Sequence, residues 1–324
     1  MKKTTNKLFT NVFFVTAAAI LCCALWGSAT PFIKTGYELM LPDKDVPSTM
    51  LFAGIRFFLA GIITVIIYSV AGKRFLYPKA ENIGRISVVS LFQTVIQYIF
   101  FYVGLANTTG VKGTVISGSS TFFAILIASL IYKQERLTFR KIFACILGFA
   151  GVIAVNLKGL DFNMNFMGDA FVLFSAIASA ASSVIMKRYS NYEDPVVISG
   201  YQFIMGGAVM IAIGLLSGGS VEVATFKAGA VLTYLAFLSA IAYAVWGILL
   251  KHNPVSRVTV FSFTIPVFGV LLSNIMLAEE SNVSPLNLVI ALIFICTGIM
   301  VNSRPEKAYA RFKVKSEYHY RKKK

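Results

Sequence analysis

Apolar residues run along this chain in unbroken blocks of about 20, separated by short polar connections, without the two-residue alternation of a half-buried strand. Ten blocks can be delimited, at roughly 12–34, 48–71, 84–106, 112–132, 138–157, 167–187, 196–217, 228–250, 256–278 and 285–303. About 20 residues at ~1.5 Å rise span the ~30 Å hydrocarbon core of a bilayer. Backbone amides cannot go unpaired in hydrocarbon, so each block predicts a membrane-spanning helix. The expected fold class is an all-α integral membrane protein of ten transmembrane helices. Composition sharpens this: 57% of the 324 residues are hydrophobic and 14% charged, with mean hydropathy +0.74, so the bilayer is the solvent.

The pattern repeats. Thr121-Phe-Phe-Ala-Ile-Leu-Ile-Ala-Ser through Glu135, then Thr138 to Gly151, is answered by Pro266-Val-Phe-Gly-Val-Leu-Leu-Ser through Glu280, then Pro285 to Gly298. Ala53-Gly-Ile-Arg56-Phe57 matches Ser199-Gly-Tyr-Gln202-Phe203, and Pro31-Phe-Ile-Lys34 matches Val184-Ile-Met-Lys187. With five blocks per copy, the second must enter the membrane from the opposite side, an inverted repeat of the kind that places a solute site between two halves. The expected organisation is a cytoplasmic N-terminus (1–11), a first five-helix unit (12–157), a second (167–303) and a basic cytoplasmic tail (304–324).

Charge placement orients the chain. The formal net charge is +16, yet the odd-numbered loops hold only Lys34, Lys44, Lys112, Lys158 and Lys227; the remaining loop cations lie in the even-numbered loops and at the termini. The positive-inside rule then predicts N-in and C-in. Lys2, Lys3 and Lys7 before an apolar block also describe a signal peptide, but the first block belongs to the repeat and is read as a retained helix. The tail ending Arg321-Lys-Lys-Lys is a topology determinant, with anionic lipid as a candidate partner; nothing else points to nucleic acid. Cys22, Cys23, Cys145 and Cys296 fall inside the blocks as packing residues. Neither His252 nor His319 has a cysteine or carboxylate at ligand spacing, so neither a metal nor a cofactor is expected.

Trp26-Gly-Ser with Lys34, Arg56-Phe57 with Ala60-Gly61, Glu135-Arg-Leu-Thr138, Gly168-Asp169, Pro266-Val-Phe-Gly, Leu277-Ala-Glu279 and Gly298, in this order and doubled, resemble the drug/metabolite transporter superfamily, EamA type, over about residues 12–303. The resemblance implies a substrate cavity among spans 1, 3, 4, 6, 8 and 9, export as the commoner direction, and structural or gating roles for Glu135 and Glu279. One departure matters: the proline usual in the family's fourth span is missing from Ser119-Ser-Thr-Phe-Phe123, so locally irregular backbone is expected only in the ninth span, at Pro266.

Arg56 is the one charge well inside a block, about 12 Å deep, and is either a counter-ion for an anionic substrate group or an anchor to carbonyls. No Asp, Glu or His lies mid-membrane, which leaves a buried-carboxylate proton relay without support. Asp169, opening the sixth span, is expected to cap it, and Glu135 can pair with Arg136. Gln93 and Gln97, at i and i+4 beside Thr94, Tyr98 and Tyr102, either read a polar substrate or tie helices together. Ser239, Tyr243 and Trp246 share a face; Trp246 reads as an interfacial belt residue and Trp26 as pocket or packing. Ser117 and Ser120 in the fourth span and Ser179 in the sixth are small polar positions that serve close helix approach, cavity lining, or both. The candidate cavity set is thus Trp26, Gln93, Gln97, Tyr98, Ser117, Ser120, Ser179, Ser239, Tyr243 and Pro266, with Arg56 as candidate counter-ion.

The function expected is a secondary transporter, an exporter of a small organic metabolite or drug (amino-acid-like, nucleoside-like or lipophilic), working by alternating access in a plasma membrane, with a bacterial inner membrane as the setting. Its partners are the small-molecule substrate and the lipid bilayer, and a homodimer is compatible. Two other classes compete. An intramembrane serine protease using Ser117–Ser120 lacks a nearby base, since His252 lies at a span edge and His319 in the tail, unless Lys112 or Lys251 is recruited. A non-transporting scaffold or receptor leaves the polar face of the third span without a solute.

Overall fold

A computed structural model of the chain describes residues 8–157, 165–277 and 284–303. The described residues form helices joined by short connections, with no strand among them. In chain order these are α1 (Val12–Met40), α2 (Val46–Ala71), α3 (Ala80–Ala106), α4 (Gly110–Ile131), α5 (Phe139–Asn156), α6 (Phe166–Tyr189), α7 (Pro195–Leu216), α8 (Phe226–His252), α9 (Val255–Met276) and α10 (Pro285–Ser303). Nine, α1 to α9, are long and apolar enough to cross a membrane; α10 carries a shorter apolar stretch, Leu286–Asn302. The signal-peptide question at Lys2, Lys3 and Lys7, Glu279 and the tail after residue 303 lie outside the described residues.

Helix starts follow local chemistry. Asp45 and Asp194 cap α2 and α7 by accepting the Ser48 and Val196 amides at 2.8 and 2.9 Å, each with a proline in the first turn, where no amide hydrogen is needed. Asn11 does the same for α1.

Packing sorts the helices into pairs. The most extensive contacts are α2 on α7 and α5 on α10. α1 packs on α8 and α9, while α6 packs on α3 and α4. The α2–α7 crossing is set by glycines: a Cβ on Gly61 would lie 2.6 Å from the Gly200 carbonyl oxygen, and one on Gly207 would lie 2.5 Å from the Phe58 amide nitrogen. In lipid the helices gain little from apolar burial, and close backbone approach supplies the association.

Three features depart from the sequence expectation. α1 continues to Met40, with Pro31 inside it. α3 is π-helical over Leu91–Ile96. Backbone irregularity is not confined to α9: α4 is interrupted at Ser119 and ends in π-helix over Ile127–Ile131, although it has no proline. At the interruption the Ser119 hydroxyl donates to the Ile116 carbonyl at 2.6 Å and engages a carbonyl at the break.

Gly61→Leu is expected to overpack the α2–α7 crossing, at a cost of about 1–3 kcal/mol, and to lower the unfolding midpoint of the detergent-solubilised protein. Gly84→Leu, where the added carbon meets nothing within 4 Å, should shift it far less; equal midpoints would contradict the crossing.

Candidate solute site at the bundle centre

Two of the irregular helices, α4 and α9, are interrupted at matching places. In α9 a 3-10 segment, Val260–Thr264, precedes Pro266. Thr264 Oγ1 donates to the Phe261 carbonyl at 2.7 Å, as Ser119 Oγ does to Ile116 at 2.6 Å in α4. In the repeat that pairs Thr121 with Pro266, Ser119 corresponds to Thr264 and Ile116 to Phe261. The two interruptions touch: Thr121 Oγ1 donates to the Thr259 carbonyl at 3.1 Å. Cys23 in α1 donates from Sγ to the Phe261 carbonyl at 3.2 Å. Non-helical backbone at such depth is tolerated where protein buries it and side chains re-satisfy its carbonyls.

Aromatic rings from α1, α2, α3, α7 and α8 meet in one cluster. Trp26 is edge-on to Tyr243 and Trp246, with centroids 5.1 and 4.9 Å apart. The Tyr243 and Tyr98 hydroxyls are 3.1 Å apart. Phe57 stacks on Phe203 at 5.0 Å, and Phe203 is edge-on to Tyr243. Tyr98 and Tyr243 are enclosed by the bundle and yet only half-buried, so they border internal space rather than tight packing.

Arg56 lies ten residues into α2, about 15 Å along it. It is 4% exposed, with its guanidinium carbon 4.3 Å from the Phe57 ring centroid. Tyr37, Tyr98, Tyr102 and Tyr243, from α1, α3 and α8, lie within its electrostatic reach. Among the described residues no carboxylate pairs with it, and its Nε has no hydrogen-bond partner. The Trp26 indole N–H is likewise buried without a partner.

The structure thus brings Trp26, Tyr98, Tyr243 and Arg56 together. The amide reading of α3 divides: Gln93 is buried with Oε1 unpartnered and Gln97 is half-buried, while the tie to α7 comes from Thr94, whose hydroxyl donates to Gln202 Oε1 at 2.7 Å. Ser239 is buried and donates to the Leu235 carbonyl at 2.9 Å within its own helix. Ser117, Ser120 and Ser179 are half-buried on α4 and α6, and Pro266 is half-buried beside the 3-10 segment. No side-chain hydrogen bond among the described residues joins these four to the aromatic cluster. Trp246 is 5% exposed, in the core rather than an interfacial belt. α8 runs on to His252, which stacks on Phe9 at 5.1 Å, so the helix end is covered by protein. Sequence reasoning missed Tyr37, which enters because α1 extends past residue 34.

Both ends of the bundle carry polar clasps between distant segments. At one end, the Glu135 carboxylate accepts the Ser256 amide at 3.2 Å and hydroxyl at 2.9 Å, with Lys141 Nζ at 3.7 Å. It holds the start of α9 rather than pairing with Arg136 as expected, because the α4–α5 connection buries it against that helix end. Burial pushes its carboxyl above the ordinary range, against the opposing pull of Lys141 and Ser256. Lys187 Nζ donates nearby to the Leu250 and Asn253 carbonyls, a cation at the end of α8. The sequence signal for this corner was Asn253-Pro254, a turn dipeptide. At the opposite end Asp169 pairs with Lys112 at 2.7 Å and accepts from Thr108 at 2.6 Å. The capping role expected of Asp169 belongs to Asn165, which accepts the Gly168 amide, while Asp169 reaches back to the Asn165 amide at 3.0 Å.

Glu135→Ala is expected to speed hydrogen exchange of the Ser256 amide by roughly tenfold or more, given about 1.5–3 kcal/mol for a hydrogen bond to a charged group, with exchange in α2 and α7 unchanged. Unaltered exchange at Ser256 would mean that the clasp holds nothing.

The EamA-like transporter family profile matches residues 14–157 and again 166–304. An uncharacterized transporter of Archaeoglobus fulgidus is 26% identical over 80% of this chain and 88% of its own length. The uncharacterized transporter YvbV of Bacillus subtilis is 24% identical over 88% and 90%. A WAT1-related chloroplastic protein of Arabidopsis thaliana is 25% identical over 84% and 68%. A solved crystal structure superposes with TM-score 0.72 at 18% identity, covering 89% of this chain and 95% of that one, a likeness of fold. With two family matches covering nearly all of its helical length, the chain belongs to the EamA-like transporter family and is a multi-pass membrane transporter rather than an enzyme.

Proposed function

We propose that this transporter moves a small organic solute by alternating access through the centre of an inverted repeat, α1 to α5 and α6 to α10, as an exporter in the plasma membrane with both termini inside. The observation that carries the reading is the paired interruption of α4 and α9 at Ser119 and Thr264. Discontinuous helices at corresponding positions of two repeats are the usual sign of a midplane solute site. The most extensive contacts support the repeat: exchanging the five helices of one half with those of the other maps α2–α7 and α5–α10 onto themselves, α1–α8 onto α3–α6, α1–α9 onto α4–α6 and α2–α8 onto α3–α7. The four-residue serine and proline set on α4, α6 and α9 then lines the far wall of the path, opposite Trp26, Tyr98 and Tyr243.

Gating falls to the clasps. Glu135 on Ser256 joins the first half to the second at the end rich in cations. By the repeat, its counterpart at the other end is the segment around Glu279. Export is the direction inherited from the family resemblance.

Two measurements test the reading. In liposomes holding the purified protein, preloading with unlabelled solute is expected to accelerate uptake of its labelled form for at least one class among organic acids, amino acids, nucleosides and lipophilic cations. No counterflow of any class by folded protein would remove transport through this path. For topology, with the four cysteines replaced by alanine, an impermeant maleimide is expected to label Ser217→Cys in intact cells and Asn191→Cys only after permeabilisation. The reverse pattern would invert the orientation.

A further inference from the structure

We propose that the central site selects solutes bearing a carboxylate group on an apolar body, with Arg56 as the counter-ion; this rests on the transport reading above and names its substrate class.

The argument is one of charge and hydrogen-bond inventory. A guanidinium about 15 Å along a membrane helix, 4% exposed and without a carboxylate partner among the described residues, is an uncompensated charge in a medium of low dielectric. Tyrosine oxygens and the Phe57 face shelter it without neutralising it. The described acidic residues nearest the core are Asp169 and Glu135, and both are engaged at helix ends.

The surroundings are rich in donors. Arg56 Nε and Trp26 Nε1 are buried with no acceptor. Between the Tyr98 and Tyr243 hydroxyls, 3.1 Å apart, one hydrogen serves their mutual bond and the other is left to give. Against these stands one orphan acceptor among the candidate residues, Gln93 Oε1. A carboxylate only accepts, through two oxygens, and fits a guanidinium in the bidentate manner. An ammonium group finds no carboxylate here, and a neutral amide would leave the Arg56 charge unbalanced.

The rest of the wall is Trp26, Tyr98 and Tyr243, backed by the fully buried rings of Phe57 and Phe203. It offers rings to the remainder of the solute and fixes the preference for an apolar body. The second repeat carries Gln202 where the first has Arg56, and Gln202 turns to Thr94, so the charge is single and the site polar at one side only.

The chain has two tryptophans, Trp26 and Trp246, in edge contact at the site, so intrinsic fluorescence of the full-length protein in detergent reports its occupancy. Three probes of matched shape and no near-ultraviolet absorbance serve: cyclohexanecarboxylate, cyclohexanecarboxamide and cyclohexylmethylammonium. A saturable change is expected with the carboxylate at a concentration at least tenfold below that needed for the other two. Arg56→Gln should weaken the carboxylate at least tenfold and leave the carboxamide unchanged, Arg56→Lys should keep part of the preference, and Tyr98→Phe should weaken the carboxylate alone. Near-ultraviolet circular dichroism identifies any variant that fails to fold, and Tyr98→Phe, which keeps the ring, then decides. Equal binding of the three probes, binding of none, or full carboxylate affinity in folded Arg56→Gln or Tyr98→Phe protein would overturn the proposal. If liposomes exchange only neutral or cationic solutes, and Arg56→Gln leaves that exchange unchanged, the carboxylate preference falls while transport stands; if nothing exchanges, the transport reading itself falls.

Discussion

Everything in this fold answers to one constraint: within hydrocarbon, each backbone hydrogen bond must be made inside the protein. Continuous helices are the default solution, and glycine contacts at the α2–α7 crossing let them associate where apolar burial contributes little. The same constraint makes the exceptions informative. α3, α4 and α9 all leave α-helical geometry, and at each place side chains re-engage carbonyls or lock the distorted turn: Thr94 on Gln202, Ser119 on Ile116, Thr121 on Thr259, Thr264 on Phe261.

Helices and their order were legible in the sequence because apolar block length is a direct image of membrane thickness. The corrections came where side chains act across helices. A missing proline suggested a regular fourth span, but α4 is interrupted at Ser119 without one, with the serine hydroxyl bonded to its i−3 carbonyl. Trp246 looked interfacial from its distance to the span end, which says nothing of a neighbouring segment covering that end. Glu135 has a cation next to it in sequence and another electrostatic partner, Lys141, six residues on; its strongest contact, Ser256, is more than a hundred residues away and is invisible to local reading. Trp26, Tyr98, Tyr243 and Arg56 were legible one by one. Their convergence was not, since it depends on which face each helix turns inward.

The two halves share scaffold and differ in chemistry. Ser119 and Thr264 make the same local bond, and α2 and α7 cross as partners, whereas Arg56 is matched by Gln202, one held among tyrosines and the other bonded to Thr94. On the proposed alternating-access reading, a symmetric frame would present equivalent closures at the two faces, and an asymmetric centre would favour one solute orientation.

That frame makes a demand on motion. Spin labels at Lys133 and Lys251 measure the end clasped by Glu135, and labels at Thr109 and Leu286 measure the other end; electron-electron distance spectroscopy in nanodiscs reads both. On addition of a transported solute the account predicts reciprocal change, one distance lengthening as the other shortens. Distances that stay fixed, or change in the same sense, while the same preparation carries out counterflow would contradict it.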